Sequence, residues 1–326
     1  MPIPEDDRDA AATRVVAFVL PVFNEVASIG AFHLALTRAT DRRKDLRYEF
    51  VYIDDGSTDS SLAHLGDIAR RDPRVTAVSL SRNFGHQIAI TAGLDMCQDA
   101  DAVVIMDTDL QDPPSVAMRL IERWEAGAEV VYAERASRKD GAIKRATAYG
   151  FYWTLDHLSE TKIPRNVGDF RLIDQRVLQE VLRYQERNRF LRGIVAQVGF
   201  RQEAVTFDRD PRHGGRTGYP LRKMLRLAAD GVTGFSTVPL RLITRLGFLI
   251  SLLSLIGAVY ILGVKLLTPE RAVPGWAFLG VGIFMLGGIQ IIMMGVIGSY
   301  LGRVYTEVQQ RPLYSVARVI RADVPE

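Results

Sequence analysis

The chain has 326 residues, 48% of them hydrophobic, with 41 basic and 38 acidic side chains and a single cysteine. One cysteine excludes an intrachain disulfide framework and fits a reducing compartment, with Cys97 read as a small buried apolar side chain. The near-neutral balance hides an asymmetry: residues 1–210 hold 28 basic and 33 acidic groups and residues 211–326 hold 13 and 5, so the two parts face different surroundings.

The N-terminus, Met1 to Asp7, is acidic and lacks the apolar stretch of a signal peptide. Five β-rich runs follow, alternating with helix-like stretches: Val15–Leu20, Phe50–Ile53, Val75–Leu80, Ala102–Met106 and Val130–Ala133. Several are continuous Val/Ile/Leu, as parallel strands covered on both faces require. The alternation predicts an α/β fold with a doubly wound sheet, whose ligands sit beyond the carboxyl ends of the strands. The residues just after each run therefore matter most.

After the first run stands Pro21-Val22-Phe23-Asn24-Glu25, and after the second Asp54-Asp55-Gly56-Ser57-Thr58-Asp59. After the third comes Ser81-Arg82-Asn83-Phe84-Gly85-His86, and after the fourth Asp107-Thr108-Asp109-Leu110-Gln111-Asp112-Pro113. No G-x-G-x-x-G follows the first run and no G-x-x-x-x-G-K-[ST] occurs, which disfavours a dinucleotide fold and a P-loop. Asp107 and Asp109, with Gln111 as a neutral oxygen ligand, suit a hard cation, Mg²⁺ or Mn²⁺, that also takes substrate phosphates. The same residues also read as turn and helix-start chemistry, with Asp112 ahead of Pro113. Asp54 and Asp55 can accept from a base N–H or ribose hydroxyls, or cap the next helix. His86 reads more readily as a cap or surface group than as a catalyst.

Residues 221–238 place Leu221, Met224, Leu225, Ala228, Val232 and Phe235 at helical spacing, opposite Arg222, Lys223 and Arg226. That pattern predicts a helix lying in a membrane interface, or one packed on the soluble domain, ended by Pro239. Two charge-free runs follow, 19 residues from Leu246 to Val264 and 31 from Ala272 to Gly302. Each suffices for a bilayer core, which takes roughly 20 apolar residues as helix. The linker contains Pro269 and Pro274, so a transmembrane hairpin is expected, with spans near 245–266 and 275–301. Arginines crowd both flanks while the linker offers only Lys265 and Arg271, which puts the flanks in the cytoplasm. The expected organisation is a catalytic domain over 1–211, a basic juxtamembrane segment over 212–242, the hairpin over 243–302 and a cytoplasmic tail over 303–326. Gly-rich faces in the second run permit homo-oligomeric assembly.

The ordered set LPVFNE (20–25), YIDDGSTDSS (52–61), LSRNFGHQIAITAGLD (80–95), VVIMDTDLQDPP (103–114), VGDFRLID (167–174), RNRFLRG (187–193) and GGRTGYPLRKMLRLA (214–228) resembles glycosyltransferase family 2. Its nearest resemblance is to the membrane-anchored polyprenyl-phosphate glycosyltransferases, and it covers nearly the whole chain. The resemblance implies a GT-A-type fold, a nucleotide-sugar donor with UDP-glucose the first choice, and a polyprenyl (undecaprenyl) phosphate acceptor at the cytoplasmic membrane. No nucleic-acid partner is expected. Carried over by motif, Pro21, Asn24, Glu25, Asp54, Asp55 and Asp107 would hold the nucleotide sugar, and Asp107, Asp109 and Gln111 the metal. Asp169 matches the position proposed as base, so Asp169 and Asp109 are the expected catalytic residues. Arg135 and Arg145 would contact the acceptor phosphate. The family's D-A-D appears here as D-T-D, and Gly218 stands where a Lys is common, a gap that Arg212 and Arg216 would fill.

The implied reaction is displacement at the anomeric carbon with inversion. A phosphate monoester has a second pKa near ~6 and needs little deprotonation, so Asp169 could instead orient substrate. Other sugars (N-acetylglucosamine, mannose, aminoarabinose) remain open. So, more distantly, do a processive synthase without its Q-x-x-R-W motif, an Asp-nucleophile phosphatase and a non-enzymatic membrane scaffold.

Overall fold

The computed structural model describes residues 13–135, 167–187, 189–207 and 275–322, with isolated positions between 243 and 267. The chain divides into two compact units, one formed by Met1–Lys144, Thr161–Thr217 and Arg311–Glu326, the other by Arg145–Glu160 and Gly218–Gln310.

The first unit is built on an eight-stranded mixed sheet, β1 Val15–Val22, β2 Arg47–Asp54, β3 Val75–Leu80, β4 Ala102–Ile105, β5 Val130–Arg135, β6 Val167–Asp174, β7 Gln202–Phe207 and β8 Val316–Arg321. Its order is β7-β5-β6-β4-β1-β2-β3-β8. The strands β4, β1, β2 and β3 are mutually parallel. All five expected runs are strands. Two strands depart from the parallel arrangement. β6 runs antiparallel to both β4 and β5. β8, from the segment read as a tail, runs antiparallel to β3. Pro21 also lies within β1 rather than beyond it.

Side chains of β1 alternate between two cores, as the pleat dictates. Val16, Phe18 and Leu20 join Phe32 and Leu36 of α1 (Ile29–Thr40), Leu65 of α2 (Ser61–Arg71) and Leu120 of α4 (Pro114–Glu125). Ala17 and Val19 face Ile90 and Leu94 of α3 (His86–Asp95), Val177 of α5 (Gln175–Arg183) and Ile194 of α6 (Leu191–Val198). The helices thus change faces between α2 and α3, at the point where β4 returns to the other side of β1. That makes the gap between the carboxyl ends of β1 and β4 the topological switch point. One glycine is forced by packing here: a Cβ on Gly93 would lie 2.4 Å from Val19 Cγ1.

In the second unit the helix α7, Trp276–Val308, runs 33 residues. Its segment Leu286–Val308 is long and apolar enough to cross a membrane and is not buried. The first charge-free run falls largely outside the described residues, so the hairpin is not established. Gly247 from that run does approach α7, where a Cβ at 247 would meet Met293 Cε at 3.3 Å. Residues 212–238, with the expected interfacial helix, also lie outside the described residues.

Candidate active site

A cleft of about 320 Å³ opens at the switch point. The end of β1 supplies Pro21 and Val22, with Phe23 and Glu25 from the loop beyond. The β2 loop supplies Asp55, the β3 loop Asn83 and Gly85, and the segment after β4 supplies Asp107, Thr108 and Asp109. His86 and Ala89 of α3 complete the wall.

The loops after β1 and β2 are zipped together. Asn24 adopts a left-handed φ of 55°, a conformation Asn tolerates better than most residues. Its Oδ1 accepts from Thr58 N at 2.8 Å, while its own N donates to Ser57 Oγ at 3.0 Å. Glu25 N donates to Ser61 Oγ at 2.9 Å, and Glu25 Oε2 accepts from Ser28 Oγ at 2.8 Å. Asn24 therefore shapes the rim rather than lining the cleft.

Adjacent aspartates diverge. Asp55 reaches the cleft, and its two oxygens accept from Phe84 N at 2.7 Å and Gly85 N at 2.9 Å. Burial raises its pKa against the pull of those two bonds. Asp54 is 1% exposed and does not line the cleft. Its Oδ1 accepts from Ser57 N at 3.2 Å and its Oδ2 from Ser79 Oγ at 3.0 Å. Asp54, expected at the nucleotide, is turned into the sheet one step along the strand, where it braces the turn. Gly56 seals that turn, because its φ of 67° and a Cβ only 2.4 Å from the Arg82 carbonyl carbon leave no room for another residue.

Asp107 and Asp109 both face the cleft. Asp109 Oδ1 also accepts from Gln111 N at 3.0 Å, across Leu110 at a φ of 61°. Gln111, the expected third metal ligand, is 7% exposed and does not line the cleft. Among the described residues no group of three His, Cys, Asp or Glu side chains could hold a metal by itself. Two hard carboxylates on an open cleft still fit Mg²⁺ or Mn²⁺, which commonly bind through one or two carboxylates plus substrate phosphates.

Asp169 of β6 lies behind this wall, its side chain 10% exposed where that of His86 is 45%. Arg192 Nε donates to Asp169 Oδ1 at 2.9 Å and Arg192 Nη2 to Oδ2 at 3.2 Å. Gln87 Nε2 donates to Oδ2 at 3.0 Å, and His86 Nε2 stands 3.4 Å from it. Burial would raise the Asp169 pKa, but His86 and Arg192 outweigh it and hold the carboxyl well below the usual range. His86 Nε2 is also 3.6 Å from Asp107 Oδ1. Burial alone would lower the imidazole pKa; the two carboxylates raise it.

Residues 17–182 match Glycosyl transferase family 2. The chain belongs to glycosyltransferase family 2. It is 44% identical over 303 residues to the uncharacterized glycosyltransferase YkcC of Bacillus subtilis, covering 93% of each chain. It is 41% identical to a prophage bactoprenol glucosyl transferase homolog of Escherichia coli, over 93% of this chain and 99% of that one. To the bactoprenol glucosyl transferase of Shigella phage SfII it is 39% identical, over 94% and 99%.

The protein is thus a glycosyltransferase with a GT-A-like mixed α/β sheet. Of the residues expected in this transferase's site, Pro21, Glu25, Asp55, Asp107 and Asp109 converge on one cleft. Arg145, Arg212 and Arg216 lie outside the described residues, and only the backbone of Arg135 is described, at the end of β5. Sequence reasoning assigned no role to Gln87 or Arg192 and set His86 aside. The stretches RNRFLRG and LSRNFGHQIAITAGLD held the only signal for them.

Proposed function

We propose that this glycosyltransferase moves glucose from UDP-glucose to a polyprenyl phosphate, of which undecaprenyl phosphate is the expected form, at the cytoplasmic face of the membrane. The carrying observation is the cleft at the β1/β4 switch point, with Pro21, Glu25 and Asp55 on one side and Asp107 and Asp109 on the other. The names of its relatives, bactoprenol glucosyl transferases, supply the sugar and the lipid. In this reading Pro21, Glu25 and Asp55 receive the nucleotide end of the donor. Asp107 and Asp109 would hold Mg²⁺ or Mn²⁺, which, when bound, neutralises charge developing on the departing diphosphate. A lipid phosphate oxygen forms a bond to the anomeric carbon as the bond from that carbon to UDP breaks, with inversion. The phosphate is already largely dianionic at neutral pH, so no side chain has to take a proton.

The membrane reading is two spans near 245–266 and 275–301, with both flanks cytoplasmic. Its support is topological. α7 is apolar enough to span, yet the chain beyond it returns to the sheet as β8 beside β3. An even number of crossings between β7 and β8 satisfies both facts, and the charge-free run 246–264 is the natural partner. Arg135, Arg145, Arg212 and Arg216 remain the proposed phosphate contacts near the headgroups.

The test is the full chain in lipid nanodiscs, with a panel of nucleotide sugars and undecaprenyl phosphate, with and without Mg²⁺. A lipid-linked monosaccharide formed from UDP-glucose is expected. Lipid-linked product from another nucleotide sugar would reassign the donor, and none from any donor would overturn the reaction. Asp109→Ala should lose at least roughly 10²-fold in turnover, the scale of one lost electrostatic contact to the transition state. Near-normal activity in that variant would sink the metal assignment.

A further inference from the structure

Asp169, the expected base, is buried behind His86 and enclosed by donors on both oxygens. The side chain that reaches the cleft from this cluster is His86. We propose that His86 binds the anionic oxygen of the lipid phosphate acceptor, and that Asp169 is a positioning residue that acts through it. This rests on the reaction proposed above.

Three observations carry the inference. First, the cluster is rigidly cross-braced. Gln87 spends both ends of its amide, donating to Asp169 and accepting from Leu191 N at 3.0 Å. That ties the first turn of α3 to the first turn of α6. Arg192 grips both oxygens of Asp169 and donates Nη1 to Val167 O at 3.2 Å. A side chain so held can orient its neighbour, as the carboxylate of a His–carboxylate pair does.

Second, the charge of Asp169 is compensated. Arg171, on the same strand as Asp169, is 4% exposed and donates to Gly168 O at 2.9 Å. Burial draws its pKa down to about 10, so it keeps its charge at neutral pH. The Arg192 guanidinium grips the Asp169 carboxylate, and that of Arg171 stands on the same strand. The repulsion that a bare Asp169 would exert on an incoming dianion is therefore compensated before the acceptor arrives.

Third, the location fits. Register pairs Ile105, two residues before Asp107, with Arg171, two residues after Asp169. His86 Nε2 lies between those carboxylates, 3.6 Å and 3.4 Å away. It thus stands on the β4–β6 side of the cleft.

The experiment compares wild type, His86→Ala, His86→Gln, Asp169→Asn and the His86→Ala/Asp169→Asn double variant, all as full chains in nanodiscs. It reads kcat and KM for undecaprenyl phosphate, with UDP affinity measured separately by calorimetry in Mg²⁺. His86→Ala and Asp169→Asn should each raise the acceptor KM about tenfold, the scale of one charge-assisted hydrogen bond, with kcat within about threefold. The double variant should be no worse than His86→Ala, because both changes remove one interaction. His86→Gln should recover most of the KM through its remaining donor.

A fall in kcat of roughly 10²–10⁴-fold in Asp169→Asn at unchanged KM would restore Asp169 as the base and overturn the proposal. So would an unchanged KM in His86→Ala, or losses that multiply in the double variant. If Asp169→Asn no longer binds UDP and has misfolded, the His86 pair decides alone. Failure of the wild type to glycosylate any lipid phosphate would instead overturn the proposed reaction.

Discussion

Tyr314 donates its hydroxyl to Asp95 Oδ2 at 2.7 Å, across 219 positions of the chain. Asp95 is the last residue of α3, the helix whose first residue is His86. Tyr314 lies only six residues beyond the end of α7. One residue on, Ser315 O accepts from Ser81 N at 2.9 Å, and β8 then pairs along β3. The segment that leaves the long apolar helix is thus fastened to both the strand and the helix that flank the loop bearing Asn83 and Gly85, just ahead of His86.

Tyr314→Phe keeps the ring in its apolar contacts and removes the bond to a carboxylate. It should destabilise the catalytic unit by about 1.5–3 kcal/mol, the usual worth of a hydrogen bond to a charged group. Thermal unfolding of the detergent-solubilised protein reads this as a lower Tm. An unchanged Tm would mean that water replaces the hydroxyl at no cost.

How much of this was legible in the sequence depends on burial. β1 was readable because Val16, Phe18 and Leu20 on one face and Ala17 and Val19 on the other are all fully buried, giving an unbroken apolar run. β8, VARVIR, lies at the sheet edge with Val316 and Val319 exposed, so charges interrupt it and it passes for a tail. The site divides in the same way. Asp55, Asp107 and Asp109 stand in loops right after strands, where local pattern suffices. Gln87 meets Asp169 across 82 positions and Leu191 across 104, distances at which no local pattern marks a partner. Asp54 and Asp55 are chemically identical in the sequence, and only their alternation along the strand end separates brace from cleft wall.

Asp54→Ala tests that separation. It leaves Ser57 N and the Ser79 hydroxyl without their acceptor in a buried place, which costs about 1–3 kcal/mol. The variant should melt earlier while the KM for the nucleotide sugar at low temperature stays within about twofold, since RT ln 2 is well below one hydrogen bond. A rise of tenfold or more in that KM, with Tm unchanged, would return Asp54 to the binding site.

Gly93→Ala tests the close contact of α3 with β1. The added Cβ would sit 2.4 Å from Val19 Cγ1 and 3.2 Å from Ile53 Cγ1. Both neighbours are fully buried core residues, so neither can swing out to solvent. Overpacking of this kind costs about 1–3 kcal/mol, visible as a lower Tm. Val19→Ala in the Gly93→Ala background should recover part of the loss, because the two sites share one contact and their effects couple. Independent, additive losses would show that α3 relaxes as a whole instead.

The proposed even number of membrane crossings can be read by cysteine labelling in the intact chain. The native thiol is a silent background: Cys97 is 3% exposed, and burial pushes its pKa up to about 12, which leaves almost no thiolate at neutral pH. A Thr268→Cys variant in the linker should react with a membrane-impermeant maleimide in whole cells. An Ala322→Cys variant, just past the β8 strand that pairs with β3, should react only after the cells are opened. Labelling of both positions from the same side would break the hairpin reading. Labelling of Ala322→Cys alone in whole cells would place β8, and the sheet it belongs to, on the outer face, where a cytoplasmic nucleotide sugar could not reach the cleft.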